Sequence, residues 1–134
     1  MKRSGFTVMI AAVVLLASVL ACGGSMTTAN IGDAWMSTDN DGNNRTTTFS
    51  QDAVFYAQVD LRNAPDDTKL KASWIAVAAE DTDPNLLIDE VEYTSGDGLI
   101  HFDLENDNLW PLGQYKVDIY LNDTLSKTLT FEVR

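Results

Sequence analysis

At 134 residues, 45% hydrophobic and with a single cysteine, the chain has room for one domain with a real core and none for an intrachain disulfide. Nine basic residues against 20 acidic ones leave a net charge of −11. That balance disfavours nucleic acid, whose phosphates need cationic partners, and it disfavours electrostatic attraction to anionic lipid.

The first segment has the order of an export signal. Lys2 and Arg3 give a positive start, and Phe6 to Leu20 is apolar apart from Thr7 and Ser18. That run is about 15 residues long, shorter than the roughly 20 that cross a bilayer comfortably as a helix. It ends Val19-Leu20-Ala21-Cys22-Gly23-Gly24-Ser25. This resembles the lipobox of bacterial lipoproteins: an aliphatic residue, a tolerant position, a small residue, then cysteine. The resemblance implies cleavage before Cys22, a diacylglyceryl group on its sulfur and acylation of the new terminus. Two or three acyl chains anchor stably where one does not. The partner so implied is a membrane reached through lipid on Cys22, with the chain facing outside the cytoplasm. By the same analogy, the absence of Asp after the cysteine favours the outer membrane in a Gram-negative envelope. A non-lipidated signal with a chance cysteine, or an N-terminal membrane anchor, is the alternative.

Removing residues 1–21 takes away two basic residues and no acid, so the mature chain would carry 7 bases, 20 acids and a net charge of −13. Residues 22–30, rich in Gly, Ser, Thr and Ala, read as a flexible tether. The remainder, 31–134, reads as one domain.

That domain alternates apolar and polar residues with period two, the pattern of half-buried strands. Asp33 to Thr38, around Trp35, is the first expected strand, and Asp39 to Asn44 is a turn. Ala53 to Leu61 places Phe55, Ala57, Val59 and Leu61 on one face. Lys69 to Val77 does the same with Leu70, Ala72, Trp74 and Ala76. Leu86 to Tyr93 follows a turn at Asp81–Asn85, and Leu99 to Leu104 turns Ile100, Phe102 and Leu104 inward. Trp110-Pro111-Leu112-Gly113 is a tight turn. Tyr115, Val117 and Ile119 alternate with Lys116 and Asp118. Asn122-Asp123 closes a hairpin, and Leu129, Phe131 and Val133 alternate to the end. About seven strands with turns every ten or so residues, and no segment of helical period, predict an all-β, antiparallel two-layer sandwich, with a closed barrel as the alternative.

Trp74 in mid-strand, the run Trp110-Pro111-Leu112-Gly113-Gln114-Tyr115-Lys116-Val117 and the closing Phe131-Glu132-Val133 resemble an immunoglobulin-like or fibronectin-type-III-like domain. The resemblance covers roughly 31–134 and speaks to architecture, because this fold hosts many functions. It implies that Tyr115 is a tyrosine corner, its hydroxyl bonded back to nearby backbone. The disulfide of antibody domains is missing.

Candidate chemistry is sparse. His101, the single histidine, points outward; a lone histidine makes no triad unless a nucleophile and an orienting carboxylate meet it, and no serine in the chain is framed by the glycines of a nucleophile elbow. One histidine and no spare thiol argue against zinc or copper. Asp81, Asp83, Asn85 and Glu92 fall at positions one, three, five and twelve of a calcium loop. Leu86, however, stands where glycine is needed, Pro84 stiffens the loop, and 86–93 reads as a strand. Asp39, Asp41 and Asn43 form a second oxygen-rich turn without a closing acid. The acids Asp66-Asp67, Glu80-Asp81, Glu105 and Asp107 are adjacent pairs in an acidic chain, not a cleft pair of the kind glycosidases need. Trp35, Tyr93 and Trp110 are candidate sugar-stacking rings, with Trp110 also suited to capping the core. The residues therefore predict a non-enzymatic module without cofactor, anchored in the cell envelope and contacting a protein partner through a sheet edge or end loops. A carbohydrate- or calcium-binding module is the alternative.

Overall fold

The computed structural model describes residues 28–134; the expected export signal, Cys22 and most of the expected tether lie outside them. Eight strands follow in order: β1 (Asn30–Ser37), β2 (Thr48–Phe49), β3 (Phe55–Arg62), β4 (Thr68–Ala79), β5 (Leu86–Ser95), β6 (Gly98–Leu104), β7 (Gly113–Leu121) and β8 (Thr124–Val133). They form two separate sheets, ordered β1-β3-β6 and β2-β8-β7-β4-β5. Among the described residues each sheet keeps two free edges, so the domain is a sandwich and not a closed barrel.

Only β4–β5 and β7–β8 are hairpins within a sheet; the chain changes sheet at each of the other five connections, from β1–β2 through β3–β4 and at β5–β6 and β6–β7. This interlocked order holds the two layers together without a covalent link. Its inner faces are those the alternation predicts. Phe55, Ala57, Val59 and Leu61 of β3 face Leu70, Ala72, Trp74 and Ala76 of β4, with Val117 and Ile119 of β7, and all are buried. Where antibody domains have a disulfide, this one has an aromatic cluster. Phe55 stacks on Trp110 at 4.5 Å between ring centroids and meets Phe131 edge-on at 4.8 Å, and Phe131 stacks on Tyr115 at 5.6 Å. Such pairs add about 0.5–1.5 kcal/mol each beyond the area they bury.

Three details depart from the sequence expectation. β2 is an additional strand of two residues, paired in parallel with the end of β8 through Thr48↔Glu132 and Phe49↔Val133. Two residues are too short to show a period. β1 begins at Asn30, and Thr28 already bonds to Asn63 O at 2.7 Å, so ordered backbone reaches into the stretch read as tether. β1 also shifts register between Ile31 and Asp33, which breaks its alternation and hid its first half.

The turns carry their residues for physical reasons. Asn122 and Asp123 both have positive φ, as a two-residue hairpin demands. Gly113 has φ +148°, and a Cβ there would run into the backbone carbonyl of Ala78. Two residues later the hydroxyl of Tyr115 donates to Pro111 O at 2.6 Å, the tyrosine corner that the resemblance implied.

Candidate functional site

The calcium candidates are not brought together. Asp81, Asp83 and Asn85 sit in the β4–β5 turn, with Asp81 and Asn85 in positive φ. Glu92 stands in extended β5, opposite Lys71, and its carboxylate approaches Lys69 Nζ at 3.9 Å. Seven residues of strand at about 3.3 Å each carry Glu92 roughly 20 Å from the turn. No group of three or more metal-ligating acids, His or Cys is placed to hold an ion among the described residues. The Asp39 turn is explained by its own backbone: the Asp39 carboxylate accepts the N–H groups of Asn43 and Asn44. It folds over the outer face of the smaller sheet, where Gln58 is completely buried. The Gln58 amide donates to Ser37 Oγ, Asp39 O and Asn40 O at 3.2–3.3 Å. Alternation put Gln58 on a solvent face; the loop above it makes that face interior.

Two of the three candidate sugar platforms are withdrawn. Trp110 is buried, and its indole N–H donates to Ala53 O at 2.9 Å. Trp35 is half-buried beside a groove of about 570 Å³ between β1 and β8. Its N–H is committed to Gly42 O, and the Arg45 guanidinium lies 3.8 Å over its ring. Tyr93 stays 53% exposed. His101 is exposed on β6, edge-on to Tyr56.

A polar row on the outer face of the larger sheet was not legible in sequence. Register aligns Glu90, Ser73, Asp118 and Thr128 across β5, β4, β7 and β8. Ser73 donates to Glu90 and Thr128 to Asp118, each at 2.7 Å, and Lys116 reaches Asp118 at 3.5 Å. The acids here are occupied by neighbours on a flat face, which suits cross-strand pairing rather than catalysis.

The surface with unsatisfied demand lies elsewhere. Five strands stand against three, so β5 overhangs the smaller sheet. Pairing places Leu86, Val91 and Tyr93 on the core-facing side of β5, opposite Ala76, Ala72 and Leu70, yet these three are 44%, 39% and 53% exposed. Ile88, at a bulge, is half-buried against the core. Two cavities run along this side. One of about 390 Å³ is lined by Leu86, Ile88 and Asp89 on β5, Leu104 and Glu105 at the end of β6, and Trp110. A smaller one of about 150 Å³ lies between Val91 and Tyr93 on β5 and His101 to Asp103 on β6. Together they form a cleft between the free edges of β5 and β6. The signal in sequence was the apolar residues of 86–93, but nothing local showed that no strand would cover them.

No family model matches the chain, and no curated protein matches it. Among solved structures it is similar to an immunoglobulin-like protein from Pseudomonas aeruginosa, with a TM-score of 0.54 and 15% identity over 82% of this chain and 99% of that one. It is also similar to a Pseudomonas fluorescens alkylpurine DNA glycosylase, TM-score 0.52 and 12% identity, covering 87% of this chain and 33% of that one. Both likenesses concern the fold. The described domain is an immunoglobulin-like β-sandwich.

Proposed function

We propose that the protein is an envelope lipoprotein without catalytic activity, held to a membrane by lipid on Cys22 and presenting its immunoglobulin-like domain to a protein partner. The observation that carries this reading is the overhang of β5, whose core-facing Leu86, Val91 and Tyr93 are left in solvent. Exposed apolar surface of this kind, continuous with free sheet edges, favours association with polypeptide. The lipobox-like Leu20-Ala21-Cys22 supports the anchor, and the Gly- and Thr-rich residues after it supply reach. The sugar and calcium readings lose ground, since two of the three rings are occupied and the oxygen ligands are apart.

The test is mild cross-linking in the native envelope with the Cys22→Ser form as control. The expected result is a reproducible protein partner and membrane fractionation for the parent, with Cys22→Ser released from the membrane. A non-lipidated peptide mass at Cys22 refutes the anchor. A chain that cross-links to no protein at any surface refutes the partner.

A further inference from the structure

We infer that the β5–β6 cleft receives an extended polypeptide segment in which basic side chains alternate with apolar ones, added to the free edge of β6 as a fourth strand of the smaller sheet. The inference rests on the protein-contact reading above and specifies the surface and the chemistry of the partner.

The shape argues for a strand. Packed sheets lie about 10 Å apart and neighbouring strands about 4.8 Å, so a strand beside β6 would lie opposite β5, where the cleft now opens. β6 keeps unbroken register with β3 over its seven residues, Leu61↔Gly98 to Phe55↔Leu104, and contains neither Pro nor Lys. Such a regular, unprotected edge is a template for pairing. β5 is less receptive, because its bulge and its Glu90 and Glu92 blunt it.

The chemistry follows from the pleat. Inward side chains of an added strand would cover Leu86, Ile88, Val91 and Tyr93, which call for apolar groups, with the exposed Asp89, opposite Trp74 on the same side, the one acid among them. Outward ones would lie beside Asp103 and near Glu105, acids with no ion pair or hydrogen bond to a side chain among the described residues, and these call for Lys or Arg. The charge bias is regional as well as local. From Lys71 to Lys116 the chain has ten acids and no intervening Lys or Arg, and this stretch supplies both β5 and β6. Glu90 and Glu92 lean on Lys71 and Lys69 across the sheet, whereas the acids at the β6 end have no such neighbours. A second copy of this chain would bring the same acids and the same net charge of −11 to the interface, so like-charge repulsion disfavours self-pairing.

The test uses the whole chain in mild detergent and a fluorescent peptide of roughly twelve residues alternating Lys and Val, read by anisotropy. Controls are the same peptide with Glu for Lys, and with alternate backbone nitrogens methylated to remove donors on one edge. The expected result is binding of the Lys–Val peptide, loss of at least about tenfold in affinity for each control, and a similar loss in Val91→Lys and Asp103→Lys. Both variants alter exposed positions, and unchanged melting curves verify that they fold. Binding that ignores the two variants, absence of binding by the Lys–Val peptide, or self-association abolished by Val91→Lys each overturns the inference. If the peptide fails while envelope cross-linking still finds a partner on another face, the cleft falls and the protein-contact reading stands. If both fail, the reading falls with it.

Discussion

Replacing Tyr115 with Phe removes one hydroxyl and little else. The ring is 2% exposed and stacked on Phe131, and both features survive the substitution. What disappears is the 2.6 Å bond to Pro111 O, a half-buried acceptor that then lacks this partner. A bond of this kind is worth about 1–2 kcal/mol when its acceptor is left unpaired. For a domain of about 100 residues the unfolding entropy near the midpoint is about 0.2 kcal/mol/K, so the melting temperature should fall by about 5–10 °C. Urea unfolding followed by tryptophan fluorescence gives the free energy directly. A second signature belongs to alkali. Burial raises the Tyr115 hydroxyl above the ordinary phenol value of 10.0, so the unfolded chain gives up that proton first. The contribution is therefore intact below pH 10 and is lost as pH rises through the folded pKa. The parent should lose stability more steeply above pH 10 than Tyr115→Phe. The Lys69 ammonium, raised by its bond to Asp123 and titrating in the same direction, is common to both and cancels. A loss under about 0.3 kcal/mol together with superimposable alkaline limbs would falsify the corner as a stabilising element.

Three further outcomes follow from the same geometry. Gly113→Ala should cost about 2–4 kcal/mol by chemical denaturation, because its φ of +148° and the Ala78 carbonyl leave no place for a Cβ; a neutral result contradicts the close approach. Gln58→Ala should cost about 2–4 kcal/mol and speed hydrogen exchange over residues 38–46, since one amide ties down Ser37, Asp39 and Asn40. Exchange unchanged in that loop would show that Gln58 does not hold it. Millimolar calcium, compared with chelator, should leave the melting temperature within about 1 °C, because Glu92 is held away from the Asp81 turn; a clear rise would mean that oxygen ligands converge after all.

The strand positions were readable because burial on one face of a sheet imprints a period of two on the chain. Phe55, Leu70, Trp74, Ile100, Val117 and Phe131 announce their side locally, and each is buried. Turns at Asp81–Asn85 and Asn122–Asp123 were readable because few residues other than Asn, Asp and Gly tolerate positive φ. β2 was missed for lack of length. The burial of Gln58 was not readable because the Asp39 loop covers its side of the sheet, whereas Trp110, suited beside Pro111 to capping the core, is buried there against Phe55.

The corner role of Tyr115 came from the resemblance; composition, alternation and turn chemistry alone establish a small acidic all-β domain, the residues of its inner faces, and the proline and glycine that turn the chain into β7. They are local properties, written in the preference of each residue for its own backbone angles and for one side of its own strand. Which strands share a sheet is a different kind of fact. It is decided by hydrogen bonds between segments far apart in sequence, such as β3 with β6 and β4 with β7, and no period encodes them. That pairing sets five strands against three and leaves Val91 and Tyr93 facing a cleft instead of a covering strand, so that a segment meant for burial stays exposed.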